Sequence, residues 1–201
     1  MISRYTRRIG VVVGLALAAA MGAGATSASP EDTVGSARRV LVRLPYYGVF
    51  DFIAFRVDRG VVTLGGYSYE GNLKADTVMA VKRASGVDEV LDSIEPLPVS
   101  GIDDRIRWAT FFRIYADDFL SRYAPGGPFE VIREFRDERR FPGMEPVGIH
   151  PIHIIVRNSR TMLRGAVTSA SDRQLAEVRA REVEGVFEVD NALVIETGSR
   201  R

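Results

Sequence analysis

The order of apolar and polar positions after residue 30 predicts alternating strands and helices. Apolar residues alternate in 55–57 and through 61–67, and residues 58–60 between them (Asp-Arg-Gly) are typical of a hairpin turn. Apolar positions at helical spacing then predict a helix over 72–85, followed by a strand over 87–99. This stretch is therefore expected to form a β-β-α-β unit.

The same pattern recurs at a constant offset of 99 residues, so that residues 156–193 align with residues 57–94 without a gap. Identical or similar residues occupy matching positions in the two copies: Leu64 and Leu163, Gly66 and Gly165, Gly86 and Gly185, Val90 and Val189, Asp92 and Asn191. The second copy predicts strands over 152–156, 161–167 and 186–195, with a turn at Asn158-Ser159, and a helix over 171–184 whose N-cap is Ser171. We therefore expect a duplicated unit of about 65 residues.

A further helix precedes each copy. Asp32 is expected to cap the first, which carries Val34, Ala37, Leu41 and Leu44, and Asp103 to cap the second. The second carries an aromatic stripe: Trp108, Phe112, Tyr115 and Phe119. Such spacing favours a core position for the stripe, with a ligand groove as the alternative.

The expected fold class is therefore α/β of the α+β type, with two tandem α-β-β-α-β domains. Each is expected to be a three-stranded mixed sheet packed on two helices. The last two strands of each should be parallel and the hairpin antiparallel. The expected boundaries are 29–99 for the first domain and 100–197 for the second.

The second domain carries an expected insertion at about 124–148. Phe129, Ile132 and Phe135 fit one side of a short helix, with arginines elsewhere on it. Two interpretations stand: a surface helix that shields part of the core, or an amphipathic element that contacts a partner or a membrane.

Residues 1–28 have the pattern of a secretory signal peptide. Three arginines precede the apolar run 9–21, and small residues follow it. The run is short for a membrane anchor, which remains the minor alternative. Without these three arginines, 24 basic and 26 acidic residues remain. We expect a periplasmic or secreted protein with a net charge unsuited to general nucleic-acid binding.

Composition excludes several classes of site. The chain has no cysteine and two histidines, His150 and His153, which as neighbours in a strand should face opposite sides. No nucleophile elbow, dinucleotide-binding or phosphate-loop motif occurs. Paired aspartates at 103–104 and 117–118 are interpreted as solvated helix ends and faces. We expect no catalytic residues, no metal and no cofactor.

Arginine dominates the basic residues, with 25 arginines against 2 lysines. Genomic bias explains this ratio in one interpretation; in the other, guanidinium groups are chosen because they bind phosphate oxygens in bidentate fashion. The candidate headgroup or partner contacts form three clusters: Arg38, Arg39 and Arg43; Arg105 and Arg107; Arg133, Arg136, Arg139 and Arg140.

The two copies resemble the BON domain. The resemblance rests on Gly60-x-Val62-x-Leu64-x-Gly66 and Gly86-Val87-x-x-Val90-x-Asp92-x-Ile94, and on the matching positions from Leu163 to Leu193. Asp92 and Arg160 depart from the family pattern, which often has asparagine and glycine there. The resemblance covers both copies and excludes the insertion.

The resemblance implies an α/β fold and binding to phospholipid or to the periplasmic face of a membrane. The family takes its name from an osmotically inducible periplasmic protein and from nodulation-related proteins, so envelope maintenance or osmotic stress is the implied setting. The alternative is a module that recruits an envelope protein. Its signature glycines, here Gly66, Gly86, Gly165 and Gly185, are expected to be structural. A side chain at Gly66 or Gly165 is expected to clash where helix and sheet approach, with ligand contact by exposed backbone as the alternative.

Overall fold

The computed structural model describes residues 30–69, 71–124, 145–147 and 150–196. The predicted signal peptide lies outside this part of the chain. So does the predicted insertion, apart from Ala124 and residues 145–147.

Two units with the same order of elements make up the fold. The first contains α1 (Pro30–Leu41), β1 (Phe52–Asp58), β2 (Val61–Ser68), α2 (Leu73–Lys82) and β3 (Glu89–Pro96). The second contains α3 (Gly101–Tyr115), a 3-10 turn (Ser121–Tyr123), β4 (Glu145–Val147), β5 (Ile152–Arg157), β6 (Arg160–Val167), α4 (Ala170–Arg181), β7 (Glu188–Asn191) and β8 (Val194–Ile195). The predicted mixed α/β class is confirmed.

Among the described helices, α2 begins where it was predicted, whereas α1, α3 and α4 begin earlier. Ser100 caps α3, where its hydroxyl accepts a hydrogen bond from the backbone N–H of Asp103 at 3.2 Å. Ser169 caps α4 in the same way, with the N–H of Asp172 at 3.1 Å. Both serines have extended backbone and stand three residues before an aspartate, which is the geometry of an N-cap. The predictions of Asp103 and Ser171 as caps were wrong, and Asp32 lies within the first turns of α1 because that helix begins at Pro30.

Strand pairing follows the predicted scheme in both units. β1 and β2 are antiparallel across a hairpin, and β2 and β3 are parallel. β5 and β6 are likewise antiparallel, while β7 and β8 each run parallel to β6. The hairpin turns contain positive φ at Arg59 and Gly60 and at Asn158 and Ser159, as a two-residue turn between twisted strands requires.

The two sheets pack face to face between two layers of helices. The helix-facing sides of β1–β3 pack on α1 and α2 through residues such as Leu41, Phe55 and Leu64. The helix-facing sides of β5–β7 pack on α3 and α4. The opposite sides of the two sheets meet in one apolar cluster: Phe52, Ala54, Tyr67, Leu97, Ile155, Met162 and Ala166. The units therefore share a core, and α1 and α3 lie in opposite outer layers.

Each unit also contributes chain to the edge of the other unit's sheet. β4, which precedes β5, pairs with β1 and adds a fourth strand to the first sheet, so the prediction of three strands was wrong for this sheet. Reciprocally, the carbonyl of Val49, which precedes β1, accepts a hydrogen bond from the N–H of Ile154 in β5 at 2.8 Å. This exchange covers the edges of β1 and β5, which would otherwise leave backbone groups unpaired.

The prediction that the aromatic stripe of α3 is core was wrong for three of its four residues. Tyr115 is buried, but Trp108, Phe112 and Phe119 are exposed to 49%, 60% and 68%. The buried side of α3 instead carries Ile106, Thr110 and Ile114. Both stripes have helical spacing, and packing against the sheet selects the aliphatic one.

Candidate functional site

Trp108 and Phe112 are exposed on α3, and Phe119 is exposed just beyond its end; we call these three residues the α3 aromatic face. Trp108 and Phe112 are one helical turn apart, with ring centroids separated by 6.2 Å. Phe119 follows the helix, in the segment between its C-cap and the 3-10 turn. Neighbouring exposed aromatic rings such as Trp108 and Phe112 are typical of interaction surfaces.

Buried rings from both units support this face. Phe50 of the first unit meets Trp108 edge-on at 4.9 Å and also contacts Phe111. Phe111 in turn packs against Phe112 at 5.5 Å and Tyr115 at 4.9 Å. Ring contacts therefore hold Trp108 and Phe112, and the one between Phe50 and Trp108 joins the two units.

Two exposed arginines accompany the face on α3. Arg105 lies one turn before Trp108 and Ala109, and Arg113 follows Phe112 directly. Arg113 is 59% exposed and stands 4.0 Å from Glu182, an ion pair that solvent weakens strongly. Both arginines line a groove of about 650 Å³ between α3 and the end of α4. Glu182 and Glu184 line the groove as well, so its charge is mixed, and Ile102 and Ala109 supply apolar surface.

Asp117 lies near the same face, but its charge is already engaged. Its carboxylate accepts a hydrogen bond from Nε of Arg179 at 2.8 Å and bonds from the N–H groups of Phe119 and Leu120. Although burial raises the pKa of this carboxyl, these hydrogen bonds outweigh it and hold the pKa below its usual value. Asp117 therefore organises the turn that carries Phe119.

The remaining candidate arginines are placed differently. Arg107 is fully buried: it donates to Asp104 and to the carbonyl of Val156, and its guanidinium stacks 4.6 Å from the ring centroid of Tyr69. The prediction of Arg107 as a headgroup contact was wrong, because this side chain joins α3 to β5 and to the first unit.

The first arginine cluster lies on the opposite outer layer. Arg38 packs over Phe55 at 5.5 Å from the ring centroid, Arg39 donates to Ser36 at 2.8 Å, and Arg43 is exposed beyond α1. The third cluster, Arg133, Arg136, Arg139 and Arg140, lies outside the described residues. The structure therefore does not bring the first two clusters together.

The equivalent glycines Gly66 and Gly165 are buried and share a φ of +125°. A Cβ at Gly66 would lie 1.9 Å from the carbonyl oxygen of Phe52, and one at Gly165 would lie 2.0 Å from that of Pro151. The close approach is to the neighbouring chain of the same sheet, whereas the sequence suggested an approach between helix and sheet. Gly86 and Gly185 have φ of +79° and +90° and follow the ends of α2 and α4.

Asp92 and Asn191 occupy the same family position in the two units. Each side chain makes a hydrogen bond within its own segment of chain. The side-chain oxygen of Asp92 accepts from the N–H of Ile94 at 2.9 Å, and that of Asn191 from Leu193 at 3.2 Å. Either side chain meets this need, so the departure from asparagine in the first unit keeps the hydrogen bond.

The two histidines lie closer together than predicted. His150 precedes β5, and its N–H donates to Nε2 of His153 at 3.4 Å. Among the residues that the structure describes, no group of three or more His, Asp or Glu side chains is arranged to hold a metal ion. In the same part of the chain, no helix is both long and apolar enough to cross a membrane.

Asp103 is buried, in contrast to the solvated position predicted for it. Its carboxylate accepts from the N–H groups of Asn158 and Ser159, each at 2.9 Å, and so anchors the second hairpin turn to α3. Sequence spacing gives no signal for this contact, which spans more than fifty residues.

These features define a mixed α/β protein of two similar units. Residues 139–197 match the family model of the BON domain. The chain therefore contains a BON domain, which lies in the second unit, and the predicted family is confirmed there.

Structural likeness outside this match is weak. Two solved structures of CdsD, a structural protein of the type III secretion system of Chlamydia trachomatis, each align with 84% of this chain. The C-terminal domain is covered completely, at 13% identity and a TM-score of 0.28. The other structure is covered to 94%, at 12% identity and a TM-score of 0.26. These TM-scores are too low to indicate a shared fold. No curated protein matches the chain.

Proposed function

We propose that this protein is a non-enzymatic, exported binding protein that associates with anionic phospholipid at an envelope membrane through the α3 aromatic face. The first unit is, in this proposal, a second BON domain, and its Phe50 packs against Trp108 of the face. Envelope maintenance or the response to osmotic stress is the proposed setting.

The exposure of Trp108 and Phe112 on the helix that also carries Arg105 and Arg113 carries the proposal, and Phe119 is exposed just beyond the end of that helix. Aromatic rings are favoured at the boundary between headgroups and acyl chains, where one side of the ring is apolar and the other is wet. Arginine adds attraction to anionic headgroups, roughly 1 kcal/mol for each residue near the surface. Trp108 and Phe112 share α3 with the two arginines, so this helix carries both chemistries.

The net charge of the chain limits the strength of this attraction. Since acidic residues outnumber basic ones after the predicted signal peptide, the protein as a whole is not drawn to an anionic surface. Binding must come from the local face, so it should be modest and should weaken as salt screens the arginines.

Co-sedimentation with vesicles tests the proposal. The chain without residues 1–28 is mixed with vesicles of phosphatidylglycerol and phosphatidylethanolamine at several salt concentrations. Trp108→Ser/Phe112→Ser/Phe119→Ser should bind at least about tenfold more weakly, because less apolar surface is buried. The matched control is Met79→Ser/Leu91→Ser/Phe187→Ser, which removes exposed apolar side chains elsewhere and should bind as the wild type does.

Charge variants decide which layer faces the lipid. Arg105→Gln/Arg113→Gln should weaken binding and flatten its salt dependence, while Arg38→Gln/Arg39→Gln/Arg43→Gln should not. The reverse result would move the contact to α1 and contradict the proposed face. If deleting residues 127–143 removes binding while the aromatic variant does not, the predicted insertion is the contact instead. No pelleting at low salt would reject lipid binding and leave an envelope protein as the partner.

A further inference from the structure

A fully buried histidine lies at the contact between the two units. His153 of β5 is 0% exposed and stands on the side of the strand that faces the first unit. Its ring stacks on Tyr47 at 5.6 Å between centroids and meets Phe52 edge-on at 5.8 Å. The imidazole is thus enclosed by aromatic rings from the other unit.

The charged and titratable groups around His153 do little to stabilise a protonated, positively charged imidazole. On its own chain, His150 is half-buried and places its backbone N–H at Nε2 of His153. On the facing strand β6, the residue opposite is Arg164, whose buried guanidinium is bound to Asp190.

From the first unit, Tyr47 and Asp51 approach. Asp51 accepts hydrogen bonds from the N–H groups of Gly48 and Tyr69. Nδ1 of His153 makes no hydrogen bond of ordinary geometry, although the backbone carbonyls of Gly48 and Asp51 lie near the ring. A second positive charge beside Arg164 would therefore be buried without a dedicated counter-ion.

These surroundings keep the ring neutral. Burial, assisted by repulsion from His150, lowers the pKa of His153 to about 3, although the backbone carbonyls of Asp51 and Gly48 favour the charged form. In an opened chain the imidazole returns to its ordinary value near 6.5.

The same contact fixes the chain that precedes β1. The hydroxyl of Tyr47 accepts from the N–H of Ile53 at 2.9 Å, and the carbonyl of Val49 accepts from the N–H of Ile154, the neighbour of His153. Residues 47–50 are therefore bound along the edge of β5 with Tyr47 stacked on the imidazole.

We propose that this junction is an acid-labile switch, in which protonation of His153 releases residues 47–50 from the edge of β5. Release breaks the bond between Val49 and Ile154 and withdraws Phe50 from beneath Trp108. Mild acid thereby uncovers a strand edge and removes one support of the α3 aromatic face, whatever that face binds.

The direction of the pH dependence follows from the lowered pKa. Above pH 6.5 both the closed and the open junction hold a neutral His153, and the closed form keeps its full advantage. Between about pH 6.5 and 3 only the open form takes up the proton, so the closed form loses about tenfold for each pH unit. Opening is therefore promoted by acid and suppressed at neutral pH.

Amide hydrogen exchange of the folded chain, measured by NMR at pH 7.5 and 5.0, tests the switch. After correction for intrinsic exchange, protection of the amide of Ile154 should fall by about 30-fold at pH 5.0, since the pH is then 1.5 units below 6.5. Amides in the centre of α4 should keep their protection. An unchanged Ile154, or an equal loss at every amide, would overturn the proposal.

A variant and a titration separate His153 from other acid-sensitive groups. His153→Phe keeps an aromatic ring between Tyr47 and Phe52 but cannot be protonated, so protection of Ile154 should become independent of pH. His150→Gln is the control and should retain most of the dependence. Should His153→Phe fail to fold, the imidazole carbon and nitrogen shifts of wild-type His153 decide. A neutral ring in the closed form at pH 5.0 agrees with the switch, and ordinary titration near 6.5 with Ile154 still protected contradicts it.

Discussion

Gly165 combines a φ of +125° with a carbonyl oxygen where its side chain would be. Gly165→Ala must therefore move the chain at Pro151 or change the backbone angle, and both cost energy. We expect a loss of about 2–4 kcal/mol in the free energy of unfolding, measured by urea denaturation. Gly101→Ala is the control, because a Cβ there meets nothing within 4 Å. Equal stability of the two variants would contradict the proposed cause.

Charged residues with structural roles are the ones that sequence patterns misplaced. Arg107 and Asp103 are charged, and Asp103 is followed by Asp104, which predicts solvent exposure. Each is buried because it satisfies backbone groups of a distant segment: Arg107 binds the carbonyl of Val156, and Asp103 binds the turn at 158–159. Periodicity along one helix carries no information about such partners.

At the scale of the element, substitutions at two serines test where α4 begins: Ser169 is the observed N-cap and Ser171 the predicted one. Ser169→Ala should destabilise the protein by about 1 kcal/mol, since the N–H of Asp172 loses its acceptor. Ser171→Ala, which changes the exposed serine predicted as the cap, should leave stability within about 0.5 kcal/mol of the wild type. Thermal or urea unfolding of the pair measures the difference, and a larger effect at Ser171 would contradict the observed cap.

The first turn of α4 also gives the protein a dependence on acid. Burial raises the pKa of Asp172, but hydrogen bonds from Ser169, Tyr123 and Arg122 outweigh it, and the net pKa is lowered from 3.8. The carboxylate therefore contributes its full stability above pH 3.8 and loses that contribution as the pH falls through its lower value in the fold.

Asp172→Asn removes this charge and should cost about 2 kcal/mol at pH 7. The difference from wild type should shrink below pH 3.8, as urea unfolding at pH 7 and pH 3 can measure. A difference that stays constant between these values would show that the charge of Asp172 is unimportant. Asp76→Asn, at a half-buried position in the first turn of α2, is the control.

The aromatic stripe of α3 illustrates the limit of element-scale prediction. The helix has two stripes at helical spacing, one aromatic and one through Ile106, Thr110 and Ile114. When both sides of a helix carry apolar residues, helical spacing predicts that one side is buried but does not indicate which one. The choice depends on the shape of the sheet and on the junction that holds Trp108 at the surface.

At the scale of the whole molecule, the shared core predicts that the two units unfold together. Ile155 is fully buried between the sheets, so Ile155→Ser should lower stability by roughly 3 kcal/mol. Phe187→Ser, at an 86% exposed position, should change it little. Wild-type transitions followed by far-UV circular dichroism and by Trp108 fluorescence should coincide. Two separate transitions would contradict a common folding unit.

The sequence by itself determined the two hairpins with their turns, the parallel pairing in each unit and the duplicated order, because these follow from local periodicity and from turn residues that adopt positive φ. It also determined the BON family for the second unit, since the signature residues lie close together in the chain. Only the tertiary structure decided that the two sheets pack face to face, that each unit covers the other's strand edge, and that Arg107 is buried. It also decided that the aromatic side of α3 faces solvent. These features depend on contacts between residues far apart in sequence, and their outcome is set by how complete surfaces fit together.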